Sequence, residues 1–95
     1  MDPYVLIIHE VDAYDAWKEV FDAAAGLRRA AGELSYQLLR ESSSDRNLVH
    51  FSRWTSLDAA RSFFESPELV EIRRAAGVHP PTFLYLDSVE SAALA

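Results

Sequence analysis

Two apolar stretches joined by a polar segment decide the fold: Leu34-Ser35-Tyr36-Gln37-Leu38, then residues 41–47 (ESSSDRN), then Leu48-Val49-His50-Phe51-Ser52-Arg53-Trp54. In the first stretch apolar and polar residues alternate, and a period of two indicates a strand with one buried face. The second stretch is rich in residues that favour strands. Because polar residues between two such stretches are typical of a hairpin loop, the sequence predicts a pair of antiparallel strands.

Two further segments predict strands that are apolar on both faces. In the segment Val5 to Val11, one side carries Val5, Ile7 and Val11 and the other carries Tyr4, Leu6 and Ile8. Such a strand is central and covered on both faces. The segment Thr82-Phe83-Leu84-Tyr85-Leu86 has the same two-sided character and follows Pro80-Pro81, which favours an extended entry.

A helical pattern lies between the first two strands. Asp12 is its expected N-terminal cap, and Gly32 is placed to end it. Gly26 inside this pattern should either kink the helix or let another group approach closely. The expected apolar stripe consists of Ala13, Trp17, Val20, Phe21, Ala24, Leu27 and Ala31.

A second helical pattern follows the third strand. Ser56 is its expected cap, and the helix should break near Ser66 and restart as Pro67 to Ala76, because Ser caps and Pro fits the first helical position. The inward side chains should be Ala60, Phe63 and Phe64 in the first part and Leu69, Ile72 and Ala76 in the second.

The predicted order of elements is βαββαβ, an α+β ferredoxin-like fold with a four-stranded antiparallel sheet and helices on one face. The 95 residues suffice for a single domain, residues 1–95. Since the helices can cover only one apolar face of the sheet, we expect the other face to pack against a second copy of the chain. A homodimer through the open sheet face is therefore predicted.

The composition argues against several classes of function. The net charge is −6, which disfavours nucleic acid and anionic membranes as partners. There is no cysteine, which excludes disulfides, thiolate metal sites and cysteine nucleophiles. The longest apolar run, residues 4–8, is too short to cross a membrane, and the acidic start is unlike a secretion signal. We expect a cytoplasmic protein.

The histidines are the main candidates for chemistry. His9, His50 and His79 are far apart in sequence and lack the local spacing of metal ligands, so no metal site is predicted. On a strand, His50 shares one face with Ser52 and Trp54. It is either a hydrogen-bonded histidine in a packed core or interface, or a proton-transfer residue in a pocket, since its ordinary pKa of about 6.5 suits acid–base work near neutrality.

Other side chains could line such a pocket. Trp17, Tyr36, Phe64 and Ile72 are expected to contact a small hydrophobic ligand. His9 lies on the Val5 face near a strand end, and His79 lies in a loop where it could cover the mouth of the pocket. Of the pair Arg73 and Arg74, one should face solvent and the other could reach an anionic or enolic oxygen.

Three segments carry a family resemblance: His9-Glu10-Val11-Asp12-Ala13-Tyr14-Asp15-Ala16-Trp17, Trp54-Thr55-Ser56-Leu57-Asp58-Ala59-Ala60, and Ser66-Pro67-Glu68-Leu69 with Ala76-Gly77-Val78. From Tyr4 to about Ser88 the chain resembles the dimeric α+β barrel superfamily, and within it the antibiotic biosynthesis monooxygenase-like domains and the related polyketide cyclases. The resemblance implies one ligand pocket per protomer, between sheet and helices, in a homodimer.

The resemblance also implies roles for residues. In cofactor-independent monooxygenases of this family, an Asn and a Trp four apart on the third strand line the pocket, together with an Arg on the second helical segment. Trp54 matches the Trp and Arg74 best matches the Arg, whereas His50 stands in place of the Asn. Haem-degrading relatives carry a haem-ligating His on the second helix, and no His lies between His50 and His79.

Two functions follow as expectations. The first is a homodimeric enzyme without metal or organic cofactor that acts on an aromatic or polyketide-like enolisable substrate by oxygenation or aldol-type cyclisation. In it His50 moves the proton, Trp54 stacks on the substrate ring, and Arg74 stabilises the enolate. The alternative is a non-catalytic dimeric module that binds a small hydrophobic ligand. A cavity beside His50 would favour the enzyme.

Overall fold

The computed structural model describes residues 2–95 and shows the predicted sheet. The elements are β1 (Pro3–Glu10), α1 (Tyr14–Ala23), α2 (Ala25–Ala31), β2 (Glu33–Arg40), β3 (Asn47–Trp54), α3 (Leu57–Phe64), α4 (Pro67–Ala75) and β4 (Thr82–Asp87). The strands follow the spatial order β2-β3-β1-β4, and every neighbouring pair is antiparallel. This arrangement confirms the predicted ferredoxin-like α+β fold.

The two faces of the sheet differ as the alternation of residues predicts. The face under the helices carries Val5 and Ile7 of β1, and both are buried. On the opposite face, Ile8 and Leu84 remain about half exposed (45% each). The strand register brings together on this open face a set of mostly apolar side chains: Tyr4, Leu6, Ile8, Val49, Phe51, Leu84 and Leu86.

The first helical segment differs from the prediction at two points. It consists of two helices that meet at Ala24, whose N–H is shared between the carbonyls of Val20 and Phe21. Gly26 lies within α2 and faces open space, so no group approaches it closely. Asp12 does not cap α1; its carboxylate instead accepts a hydrogen bond from His79, at 2.7 Å.

The second helical segment follows the prediction. The side chains of Ser56 and Ser66 accept hydrogen bonds from the amides of Ala59 and Leu69, at 3.0 and 3.2 Å, and so begin α3 and α4. The chain breaks between the two helices because Ser66 and Pro67 start a new helix rather than extend the old one. Both helices lie on the same face of the sheet, because Phe64 of α3 and Leu69 of α4 pack in one cluster with Val5 of β1.

A tight contact fixes the junction of α2 and β2. Gly32 has a φ of +127°, and a Cβ atom there would lie 2.6 Å from Thr55 Oγ1. Only glycine fits such a backbone without strain. The amide of Thr55 also donates to the carbonyl of Gly32, at 2.9 Å. These contacts join the end of α2 to the end of β3 and so position the first residue of β2, Glu33.

Buried side chains between sheet and helices form two adjoining clusters. One contains Val5, Ile7, Trp54, Ala60, Phe64 and Leu69, and the other contains Val11, Trp17, Phe21, Leu48 and Ala76. Each cluster contains one tryptophan, Trp54 in the first and Trp17 in the second. No helix within residues 2–95 is both long and apolar enough to cross a membrane.

Candidate active site

A mostly apolar cavity of about 70 Å³ lies between the sheet and the helices. Its floor is formed by Ile7 and His9 of β1 and by His50 of β3. One wall comes from α1 and α2, and the other comes from α3 and α4. The helical and loop residues on the lining are Trp17, Val20, Phe21, Ala24, Arg28, Phe63, Phe64, Leu69, Ile72, Arg73, Ala76 and Val78.

His50 is held from one side by a buried chain of polar side chains. Its Nε2 lies 2.8 Å from Oε2 of Glu33, and Oε1 of the same carboxylate accepts from Nε of Arg28, also at 2.8 Å. Arg28 in turn donates from Nη1 to the carbonyl oxygen of Phe21, at 2.6 Å. All three side chains are at least 94% buried. Because Nε2 faces Glu33, Nδ1 is the ring nitrogen of His50 left for a ligand.

The buried carboxylate of Glu33 is ionised. Burial alone would raise the pKa of Glu33, but the hydrogen bonds and charges of His50 and Arg28 outweigh it and lower the pKa below its ordinary value. An ionised carboxylate on Nε2 fixes the tautomer that carries a proton there. A carboxylate on one ring nitrogen, with the other nitrogen left for a ligand, is also the arrangement of the histidine in a catalytic triad.

Arg28 is further held by aromatic rings. Its guanidinium lies 3.6 Å from the centroid of the Phe21 ring and 5.4 Å from that of Tyr36. The rings of Phe21 and Tyr36 in turn meet the His50 ring edge to face, at centroid distances of 5.1 and 5.8 Å. The base candidate is therefore fixed by packing as well as by hydrogen bonds.

His9 lies on the same face of the sheet as His50. In the strand register His9 pairs with Leu48 and Ile7 pairs with His50, so the two histidines are diagonal neighbours. Burial, together with the positive charges of His50 and Arg73, lowers the pKa of His9 to about 4. His9 is therefore a neutral imidazole at physiological pH.

The cavity arginine is Arg73 and not Arg74, which corrects the expectation from the family resemblance. Arg73 lines the cavity and donates from Nη1 to the carbonyl oxygen of Phe64, at 3.0 Å. Arg74 is 76% exposed and pairs with Glu71 on the solvent side of α4. The physical reason is helical spacing: Arg73 follows the buried Leu69 by four residues and therefore shares its face.

Trp54 does not reach the cavity, contrary to its expected stacking on a substrate. It is 1% exposed, its ring packs against Phe63 and Phe64, and its indole N–H donates to Oγ of Ser52 at 2.8 Å. Trp54 ends β3 directly beneath α3, which covers it completely. In the described structure Trp54 is a buried residue of the hydrophobic core.

Two further candidates lie outside the lining. Tyr36 is 46% exposed and borders a separate, outer cleft, although its ring contacts Phe21 and His50 from behind. His79 is exposed and binds the carboxylates of Asp12 and Glu10, at 2.7 and 3.3 Å, while its neighbour Val78 lines the cavity. These contacts hold the His79 ring against the end of β1, outside the cavity lining.

The remaining candidates, Trp17, Phe64 and Ile72, do line the cavity, and their contact with a substrate stays a prediction. The sequence interpretation missed Arg28 and Glu33. Arg28 follows Phe21 by seven residues, so helical spacing would have placed a charge on the buried stripe. Within residues 2–95, no group of three or more His, Asp or Glu side chains could hold a metal ion.

Solved structures share this fold. SnoaB, a cofactor-independent oxygenase from Streptomyces nogalater, matches with a TM-score of 0.75 and 20% identity, covering 96% of this chain and 97% of that one. Rv0793 from Mycobacterium tuberculosis matches with a TM-score of 0.66 and 26% identity over 96% and 99% of the two chains. The monooxygenase ActVA-Orf6 of Streptomyces coelicolor, solved with nanaomycin D, matches with a TM-score of 0.65 and 19% identity over 99% and 93%.

Sequence comparison gives the family directly. No curated protein is significantly similar to the chain in sequence. The sequence profile described as antibiotic biosynthesis monooxygenase matches residues 9–75, which is more than two thirds of the 95 residues. The chain therefore belongs to the antibiotic biosynthesis monooxygenase family.

Proposed function

We propose that this protein is a cofactor-independent oxygenase that acts on an enolisable aromatic ring, with His50 as the base. One observation carries the proposal: His50 lines a mostly apolar cavity and is backed by the ionised, buried carboxylate of Glu33. His50 is therefore not enclosed by side chains on every side, as a histidine that only filled the core would be. The family and the named oxygenases that share the fold support the same reaction class.

The proposed chemistry begins with a proton transfer. Nδ1 of His50 removes a proton from the enolisable ring position, while Glu33 accepts from the Nε2–H on the other side of the imidazole. Arg73 on the α4 wall supplies positive charge that stabilises the enolate. Molecular oxygen then oxidises the carbanion: the ring loses two hydrogens and gains one oxygen atom as a carbonyl, and the second oxygen atom leaves as water.

An aldol-type cyclisation begins with the same proton transfer, so it remains the variant of this proposal that needs no oxygen. The alternative is a non-catalytic module that only holds a small hydrophobic ligand. It does not explain why His50, Glu33 and Arg28 form a buried polar chain. Such a chain is costly to bury, since charges removed from water need full compensation.

The size of the cavity constrains the substrate. Its volume of about 70 Å³ is about half of the ~150 Å³ apolar cavity that admits benzene. Any aromatic ring, and a fused-ring substrate more so, therefore needs α1 and α2 to move away from α3 and α4, or it keeps part of its volume outside. In both cases the reacting ring can lie at the floor of the cavity, beside His50.

We also propose that the protein is a homodimer through the open face of its sheet. Half-exposed apolar side chains such as Ile8 and Leu84 support this, because a second copy would remove them from water. Light scattering at micromolar concentration should give twice the chain mass, and Ile8→Glu should shift the protein to monomer. A wild-type monomer would refute the proposal. The expected cytoplasmic location stays a prediction.

The enzymatic proposal is tested by oxygen uptake with phenol, 1-naphthol and anthrone, a series of growing ring size in which every member follows the same stoichiometry. We expect wild-type protein to form the corresponding quinone from at least one member, and His50→Ala to lose turnover by about 10²- to 10⁴-fold. His79→Ala, which removes a histidine outside the cavity, is the matched control. Full turnover by His50→Ala would overturn the assignment of the base.

A further inference from the structure

One buried polar atom at the cavity has no partner. His9 is 7% exposed and lines the cavity, and its Nε2 makes no hydrogen bond to any group within residues 2–95. It is the only buried side-chain nitrogen or oxygen in this part of the chain that lacks a partner. Buried polar atoms are nearly always hydrogen-bonded, so an unpaired one at a cavity indicates that a group bound there supplies the partner.

The surroundings of His9 define what that group is. The Trp17 ring packs against the imidazole, with centroids 5.2 Å apart, so the cavity wall beside His9 is aromatic. A charged partner is not expected, because the imidazole is neutral: burial and the nearby charges of His50 and Arg73 hold its pKa at about 4. A neutral imidazole can donate one hydrogen bond and accept one. Both a hydroxyl and a carbonyl oxygen would therefore satisfy it.

The position of His9 relative to His50 sets the orientation of such a ligand. Diagonal neighbours on paired antiparallel strands lie about 7–8 Å apart, and these two histidines face the same cavity. A single aromatic ring placed between them would direct a substituent to His9 and a ring position to Nδ1 of His50.

We propose that Nε2 of His9 binds the ring oxygen of the substrate, so that His9 selects oxygen-bearing aromatic rings over apolar ones and presents the ring to His50. This inference rests on the proposed function, because it names the part of the substrate that the same cavity recognises. His9 acts as a specificity residue, and the proton transfer itself belongs to His50.

Phenol and toluene are suitable probes because they have nearly the same size and shape and differ in the hydroxyl group. In wild-type protein labelled with ¹⁵N, we expect phenol to shift the Nε2 resonance of His9, whereas toluene should leave it in place. This measurement needs no substitution and so does not depend on a variant that folds. A resonance that responds equally to both probes, or to neither, would overturn the proposal.

Substitutions give the second test. The ratio of the toluene Kd to the phenol Kd is measured by ligand-observed NMR for each protein, and comparing this ratio between variant and wild type cancels the different hydration of the two probes. His9→Leu should move this ratio toward toluene by about 3- to 10-fold, the range of one hydrogen bond. His9→Gln, whose amide can occupy the place of Nε2, should keep the ratio near that of the wild type. An unchanged ratio in His9→Leu would contradict the role of His9.

These outcomes are separate from those of the proposed function. Binding selectivity without oxygen uptake would support the role of His9 and refute the oxygenase. Oxygen uptake with an unaltered phenol preference in His9→Leu would support the oxygenase and refute the role of His9.

Discussion

The substitution Glu33→Gln tests the buried polar chain most sharply. Glu33 accepts from Arg28 and faces His50, each at 2.8 Å, and all three side chains are buried. A glutamine keeps the shape and one acceptor oxygen but removes the negative charge. The guanidinium of Arg28 would then be buried without a negative charge beside it, and one acceptor oxygen would have to serve both Arg28 and His50.

The expected loss is large for a chain of this size. Removing one partner of a buried ion pair costs about 3–5 kcal/mol, against a total stability of about 5–15 kcal/mol. For a domain of this length each kcal/mol lowers Tm by about 4–8 °C, so the shift should be ~12 °C or more. Adding Arg28→Met should recover much of the loss, because the uncompensated charge is then gone while the introduced glutamine can still accept from His50.

The assay is urea and thermal unfolding followed by circular dichroism at one fixed protein concentration. Glu71→Gln is the matched control, because it removes the same charge from an exposed pair with Arg74 and should change stability by less than about 1 kcal/mol. If Glu33→Gln were no less stable than Glu71→Gln, the account of Glu33 as a buried, ionised partner would be refuted.

Three further predictions concern pH, charge and backbone. The pKa of His9 is about 4 in the folded protein and about 6.5 in the unfolded chain, so between these pH values the unfolded chain binds one more proton. The free energy of unfolding should therefore fall by ~3 kcal/mol as the pH drops from about 6.5 to 4. Unfolding curves of His9→Leu should lack the decrease that His9 causes. Arg73→Gln should weaken phenol binding or turnover severalfold, whereas Arg74→Gln should match wild type in the same titration, and equal effects would contradict the assignment. Gly32→Ala should destabilise by more than about 1 kcal/mol because of its positive φ and close contact. Gly26→Ala, in open space within a helix, should instead raise the unfolding midpoint through a gain of up to about 1 kcal/mol; a loss there would refute this interpretation of the backbone.

Most of the fold could be predicted from local patterns. The strand around Tyr36, the hairpin loop and the caps at Ser56 and Ser66 appear in the structure as expected, because each depends on a few neighbouring residues. The buried face expected for this strand does not: β2 lies at the edge of the sheet, and Leu34 and Tyr36 stay about half exposed. The break at Ala24 was not predictable in the same way. The sequence offered a kink at Gly26 as one of two possibilities, but the helix breaks two residues earlier, where alanine favours a continuous helix.

The site was only partly predictable. Helical spacing placed Trp17, Phe64 and Ile72 inward, and the same spacing distinguishes Arg73 from Arg74 when it is counted from Leu69. The family resemblance pointed to Arg74, whereas Arg73 lines the cavity. Matching residues between distant sequences is uncertain by a position, and one position rotates a side chain by a quarter turn or more.

The position of Glu33 beside His50 could not be predicted from the alternation of residues in β2. The alternation of β2 would place it on the face opposite Tyr36, but a β-bulge between Glu33 and Ser35 reverses the alternation at the start of the strand. The side chain therefore points beneath the helices, toward Arg28 and His50. Such a bulge depends on the junction at Gly32, a tertiary feature that alternation alone does not reveal.

The central claim is that His50 removes a proton from a ring bound in the cavity, and hydrogen exchange measures that step alone. Anthrone is incubated with the protein in deuterated buffer without oxygen, and loss of its methylene proton signal is followed by NMR. We predict that wild-type protein accelerates this exchange by about 10²-fold or more over buffer and that His50→Ala abolishes the acceleration. Equal exchange rates with wild type and His50→Ala would contradict the account.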